Sequence, residues 1–147
     1  MSSAAWIPPL KAMTRLVVDT DVASYIFKWH PDFAPQYAEI LHASKPVLSF
    51  MTVAEMHQGA LHANWGPHQC NLLKIYLADF LIQQSNDALC IAWAEVRNES
   101  KRKGRPISPA DAWIAATALV LSVPLVTNNS KHYRHLSRLQ VISAIAN

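Results

Sequence analysis

Leu16-Val17-Val18-Asp19-Thr20-Asp21 is the stretch whose reading decides the fold. Its apolar run, with two β-branched residues in three, reads as a buried strand, and Asp19 stands where that strand hands over to a helix. In an open parallel sheet, ligands bind in the crevice outside the carboxyl ends of the strands. Two more acids have a comparable setting. Glu55 closes Leu48-Ser49-Phe50-Met51-Thr52-Val53-Ala54-Glu55, and Asp111 lies in Ser108-Pro109-Ala110-Asp111-Ala112-Trp113. The chain holds only ten Asp and Glu in 147 residues, so three at such junctions is a concentration of its scarce negative charge. Carboxylates gathered at one point repel by about 3 kcal/mol per pair at about 5 Å and an effective dielectric of about 20. A cation offsets that repulsion, and oxygen-only ligands suit Mg²⁺ or Mn²⁺.

The rest of the pattern fits that frame. Residues 15–19 read as a strand, followed by helix over about 21–28 and again over 32–44. A second strand is expected at 46–50, then a helical pair at 52–64 and 67–79 joined at Trp65-Gly66-Pro67. Leu81-Ile82 gives a short third strand, and 87–103 a helix with Leu89, Trp93 and Val96 at helical spacing. Ser108-Pro109 starts an Ala-rich helix to about Ser122. Strands at 124–127 and 139–142 close the chain. Strands alternating with helices predict an α/β sandwich with a mostly parallel sheet of about five strands. Residues 1–14, with Pro8-Pro9 and no helix or strand period, read as an N-terminal extension.

Composition limits the function classes. One domain of 147 residues, 51% hydrophobic and 16% charged, can bury a core and is not disordered. No apolar run is long enough to span a bilayer, no signal peptide is legible, and the expected address is cytoplasmic. Cys70 and Cys90 lack zinc spacing and are expected to be reduced core residues. The net charge of +3 is compatible with a polyanionic partner. Basic residues cluster at Lys101-Arg102-Lys103-Gly104-Arg105 and again from Lys131 to Arg138. The first cluster reads either as cations complementing a helix C-terminus or as phosphate contacts.

Each acid also has a purely structural reading. Thr52-x-x-Glu55 and Ser108-x-x-Asp111 match the capping box, with Pro109 at the first helical position, and Asp21 can cap the first helix. Asp19 is harder to explain that way, because an acid closing a buried run needs a partner.

The ordered set Leu16–Asp21, Thr52-Val53-Ala54-Glu55, Gly104–Ala116 and Leu125-Val126-Thr127-Asn128-Asn129 resembles the PIN domain, and most of all its VapC-type toxin branch. The resemblance implies a three-layer α/β/α sandwich, with a PIN-like nuclease domain over residues 15–147. It implies a Mg²⁺- or Mn²⁺-dependent endoribonuclease, the toxin of a toxin–antitoxin pair, that is usually a homodimer and is held inactive by a cognate antitoxin. By that resemblance Asp19, Glu55 and Asp111 are the metal-binding, catalytic acids. Thr127 and Asn129 are placed to hold metal-bound water or a phosphate oxygen. Asp21 stands where this family more often has Asn, and Asn129 and His132 occupy positions where relatives often have acids. Asp21 and His132 are therefore further candidates, and the count of metals, one or two, stays open.

On this reading an activated water attacks the RNA phosphodiester in line, leaving 5′-phosphate and 3′-hydroxyl ends. Trp29, His30 and Trp65 lie in predicted connections and can either stack on unpaired bases or sit in a protein interface. Phe33, Tyr37, Ile40, Leu41, Met56 and Leu61 suggest a groove for an amphipathic antitoxin segment. Two rivals remain. One is a non-cleaving PIN-like module that binds RNA or protein. The other is a haloacid-dehalogenase-like phosphatase, suggested by Asp19-Thr20-Asp21, which lacks its later acidic pair because no acid follows Ser130.

Overall fold

A computed structural model describes residues 14–145. The expected N-terminal extension, apart from Thr14, lies outside the described residues. Thr14 itself opens the first strand, one residue earlier than the sequence pattern indicates.

Five strands form a single parallel sheet: β1 (Thr14–Val18), β2 (Ser44–Ser49), β3 (Leu81–Gln83), β4 (Leu125–Val126) and β5 (Val141–Ile142), in the order β3-β2-β1-β4-β5. Helices α1 (Thr20–Lys28), α2 (Ala34–Leu41), α3 (Phe50–His62), α4 (Pro67–Ala78), α5 (Asp87–Arg102) and α6 (Pro109–Leu121) connect them. The period of two along each strand sorts the core into two halves. Leu16, Val18, Leu48 and Val126 pack with Val22, Tyr37, Met56 and Leu73 of α1–α4. Val17, Val47 and Leu125 pack with Val96, Ile114 and Ala115 of α5 and α6. Such strands, apolar on both faces, are those of a covered parallel sheet, and the result is the expected three-layer sandwich.

Helix starts are set by side-chain caps. Asp19 caps α1, accepting from the Thr20 amide at 2.8 Å, so Asp21 sits in the first turn and is not the cap. Ser49 caps α3 through the Met51 amide, which moves Phe50 from the expected strand into the helix. Thr52 is then the third helical residue and Glu55 lies a turn deeper, so the Thr52–Glu55 capping box does not form. At α6 the forward half of the box does form, with Ser108 Oγ accepting from the Asp111 amide at 3.1 Å.

Several expectations about side chains are corrected. Tyr37 and Met56 are buried and so belong to the core, while Phe33, Ile40 and Leu41 are half-buried against it and Leu61 is 77% exposed. Cys90 is exposed, so only Cys70 is even half-buried. Trp65 packs on Phe27, and His30 Nδ1 accepts from the Asp32 and Phe33 amides, while Trp29 stays 58% exposed. No helix among the described residues is long and apolar enough to cross a membrane.

Leu48, fully buried where β2 meets the α1–α4 layer, tests this packing. Leu48→Ala should cost about 2–5 kcal/mol in urea unfolding, the range for emptying a close-packed site. A loss below about 1 kcal/mol would show that the layer is not packed as described.

Candidate active site

The chain runs outward from β1 to β2 and β3, then returns through α5 and α6 to β4 on the other side of β1. The gap between the ends of β1 and β4 is thus the point where strand order reverses, the usual place for a ligand crevice in an open α/β sheet. The register pairs Val18 with Val126, and the Asp19 amide donates to the Val126 carbonyl at 2.9 Å. Asp19 and Thr127 therefore emerge side by side.

Asp19 is 6% exposed and its carboxylate is fully engaged. Oδ1 accepts from the Thr20 amide at 2.8 Å, and Oδ2 accepts from Thr127 Oγ1 at 2.7 Å and from the Tyr133 hydroxyl at 3.1 Å. Those are the partners that a buried acid requires. Thr127 Oγ1 also accepts from the Asn129 amide at 3.0 Å, which ties the following turn to the same carboxylate.

The neighbouring acids are arranged around it. Asp21 Oδ1 accepts from the Val22 amide at 2.7 Å, while Oδ2 accepts from the Asn128 amide at 3.1 Å and Asn129 Nδ2 at 3.0 Å. Glu55 Oε1 accepts from Thr20 Oγ1 at 2.7 Å, and that hydroxyl lies 3.0 Å from Thr52 Oγ1. One residue, Thr20, thus touches Asp19 with its amide and Glu55 with its hydroxyl. Asp111 Oδ2 lies 3.4 Å from His132 Nδ1, with His132 on a single 3-10 turn over Ser130–His132. Tyr133 bridges this side, since its hydroxyl bonds Asp19 and is close enough to Asp111 for that carboxylate to act on it as well.

Electrostatics follow from the crowding. Burial, and then the charges of Asp21 and Asp111, raise the Asp19 carboxyl from its ordinary 3.8 to about 7, against the hydrogen bonds from Thr127 and Thr20. Burial likewise raises Asp21, with Asp111 adding to the shift and the amides of Val22 and Asn128 opposing it. Burial and the two acids push the Tyr133 hydroxyl well above the ordinary tyrosine range, so it remains a donor. Among the described residues no Lys or Arg forms an ion pair with Asp19, Asp21, Glu55 or Asp111.

The residues expected from sequence all fall at this end of the sheet, in two linked groups. Asp19, Asp21, Thr127 and Asn129 form one hydrogen-bonded unit, which Thr20 ties to Glu55. Asp111 and His132 form the other, joined through Tyr133. Among the described residues no three His, Cys, Asp or Glu side chains are already drawn together as a closed metal cage. The donor set is nonetheless of the right chemistry for a hard divalent cation: oxygen donors whose charge no Lys or Arg among the described residues matches, with Asp19 and Asp21 raised in pKa by burial and then by neighbouring acids. Thr20, Thr52, Asn128 and Tyr133 were not legible as site residues. Thr20 had a signal in lying between two acids, whereas Tyr133 is 114 residues from Asp19 and carries no motif.

A model of the PIN domain matches residues 16–138, and the chain belongs to the PIN-domain family. Within it the similarity is to VapC-type proteins. The chain is 29% identical over 125 residues to Ribonuclease VapC1 of Haemophilus influenzae (strain R2866), covering 84% of this chain and 93% of that protein. It is 27% identical over 124 residues to Ribonuclease VapC2 of Rickettsia felis, covering 84% and 92%. Among solved structures, the fold superposes on VapBC2 from Rickettsia felis bound to a promoter DNA fragment with a TM-score of 0.79 at 24% identity, covering 90% of this chain and 100% of that one. It superposes on VapBC-1 from nontypeable Haemophilus influenzae with a TM-score of 0.77 at 26% identity, covering 88% and 98%. Membership of the PIN family displaces the haloacid-dehalogenase-like alternative.

The raised Asp19 carboxyl sets the sign of a pH effect. Between about 4 and about 7 the native chain holds a proton that the unfolded chain has lost, so stability falls as pH rises through that window. In chelator-treated protein, Asp19→Asn should reduce this decline to the part that the raised Asp21 contributes, and be the more stable form above pH 7. Parallel stability curves for the two proteins from pH 4 to pH 8 would contradict the assignment.

Proposed function

We propose that this chain is a metal-dependent endoribonuclease and the toxin of a toxin–antitoxin pair. The observation that carries the reading is four carboxylates at one switch point, one buried and shifted to about 7, with no Lys or Arg among the described residues paired to any of them and only the His132 imidazole beside Asp111. Structural acids are ordinarily neutralised by Lys or Arg, and a set left unmatched is arranged for a cation that arrives from outside. The curated relatives are named ribonucleases, which supports RNA as substrate, and the solved neighbours are VapBC complexes, which supports a protein antitoxin.

Asp19, Glu55 and Asp111 would hold Mg²⁺ or Mn²⁺, which supplies Lewis-acid polarisation of a phosphodiester and lowers the pKa of a bound water. The chain's own residues do the positioning. Thr127 and Tyr133 occupy both lone pairs of Asp19 Oδ2, while Oδ1 takes only the Thr20 amide, so the free lone pair of Asp19 is on Oδ1. Thr20 fixes Glu55 Oε1 relative to Asp19. Asn128 and Asn129 hold Asp21 in place, so that it adds negative charge beside Asp19 without moving. Tyr133, kept protonated, donates and does not act as a base. Three carboxylates balance one and a half divalent ions, which favours one firmly held metal and a second that binds with the RNA phosphate.

A homodimer and an antitoxin complex belong to the same reading. Leu61 on α3, Leu72 and Ile75 on α4, and Trp29 after α1 are exposed apolar side chains available to such partners.

The purified chain should cleave single-stranded RNA with Mg²⁺ or Mn²⁺ and stop in EDTA. Asp19→Asn and Asp111→Asn should each lower the rate at least about 100-fold, beyond the loss seen when an outer partner of a metal ligand is removed, while both variants stay folded. If Asp111 were only a helix residue, its substitution would change stability by about 1 kcal/mol and leave cleavage intact. Undiminished cleavage in EDTA and in both variants rules out the metal mechanism. Binding of RNA without any cleavage selects the non-cleaving module.

A further inference from the structure

We infer that the RNA strand leaves the acidic centre along a furrow walled by α5 and the 103–108 loop, with its phosphates on Arg105 and Lys131 and a flanking base against Arg97. This rests on the ribonuclease reading and adds to it the path of the substrate.

Two clefts define the furrow. The first, of about 270 Å³, is bounded by Asp111 and His132 of the centre together with Arg105, Lys131 and His135. The second, of about 660 Å³, is bounded by Trp93, Arg97, Lys101 and Gly104. Pro106 and Ile107 wall both, so the two clefts adjoin at this loop, and the first of them reaches a proposed metal ligand. The larger cleft has the size of a small-molecule site and is roomy enough for a nucleotide.

Its charge matches one kind of occupant. The acids on the second half of α5 are already matched, since Glu99 bonds Lys103 Nζ at 2.7 Å and Glu95 faces Arg138 at 3.5 Å. Arg97, Lys101, Arg105 and Lys131 have no carboxylate partner among the described residues. Cations left over along a groove that ends at a phosphodiester-cleaving centre are what a polyanionic strand requires.

The larger cleft also holds a fixed planar cation. The Arg97 guanidinium lies over the Trp93 ring at 5.5 Å and donates to the Ile107 carbonyl at 2.6 Å. Trp93 in turn stacks on Trp113 at 5.0 Å and donates Nε1 to the Pro109 carbonyl at 3.1 Å. An arginine immobilised in this way has lost its side-chain freedom before the ligand arrives, and RNA bases stack on such guanidinium planes. Of the Lys101–Arg105 cluster, Lys101 and Arg105 are thus the cations available to phosphates, while Lys103 pairs with Glu99 at the C-terminus of α5.

Fluorescence anisotropy of a labelled single-stranded RNA of about eight nucleotides, titrated with the full chain carrying Asp19→Asn, reads the affinity. Adding Arg105→Gln and Lys131→Gln should weaken binding about 10-fold or more. It should also flatten the slope of log affinity on log salt by about 1.4, since each single-strand phosphate contact contributes about 0.7. Arg97→Lys, which keeps the charge and loses the plane, should weaken binding about 5-fold with the slope unchanged. An unchanged affinity and slope for the Arg105/Lys131 pair, in a chain whose parent cuts RNA, overturns the furrow alone. A change of oligomeric state in light scattering without a change in RNA affinity makes this face a contact between copies and overturns it too. A parent chain that neither binds nor cuts RNA overturns both readings.

Discussion

The burial of one carboxylate at the end of the central strand is the constraint on which the rest of the structure depends. Asp19 closes a run whose side chains pack into both halves of the core, so it cannot turn out to solvent without pulling β1 with it. It must be satisfied in place. Thr127 reaches it from the neighbouring strand, Tyr133 from the 3-10 turn that follows, and Thr20 from the helix that it caps. Through those three contacts the acid joins β1, β4 and α1, and through Thr20 it also fixes Glu55 on α3. The hydrogen bonds lower its pKa, but burial and two nearby acids raise it further, and the balance is a carboxyl near 7. The ion-free site is thus held at a cost to stability, the usual trade where a fold preserves a reactive cluster.

Most of the architecture was legible because it depends on short-range pattern. Leu16-Val17-Val18 has the composition of a strand buried on both faces, and each helix start carries its cap or its proline. The misplaced boundaries have a local cause: Ser49 and not Thr52 caps α3, so Phe50 left the strand and the capping-box explanation of Glu55 disappeared. At Asp111 the forward half of the box forms through the backbone amide, while the carboxylate faces His132.

The supporting shell was not legible for the opposite reason. Tyr133 meets Asp19 across 114 positions, and Tyr37, buried in α2, bonds Asn128 Oδ1 at 2.6 Å and so steadies the turn that holds Asp21. Nothing in local spacing marks either tyrosine. The partner surface was only partly legible because apolar residues on α2 and α3 look alike whether they face a core or a groove: Tyr37 and Met56 belong to the core, Phe33, Ile40 and Leu41 are half-buried, and Leu61 is exposed. The basic cluster after α5 was ambiguous until the ion pairs of Glu95 and Glu99 showed which cations remain available.

Proton release on cation binding tests the central claim most directly. If the acidic centre takes up a divalent ion, the ion must displace the proton that Asp19 retains up to about pH 7. Calorimetric titration of Mn²⁺ at pH 6.5, in two buffers of different ionisation enthalpy, should show binding with a fraction of a proton released per ion. Release should shrink at pH 8 and be clearly smaller in Asp19→Asn. No Mn²⁺ uptake, or uptake with the same proton release in Asp19→Asn, would contradict the account.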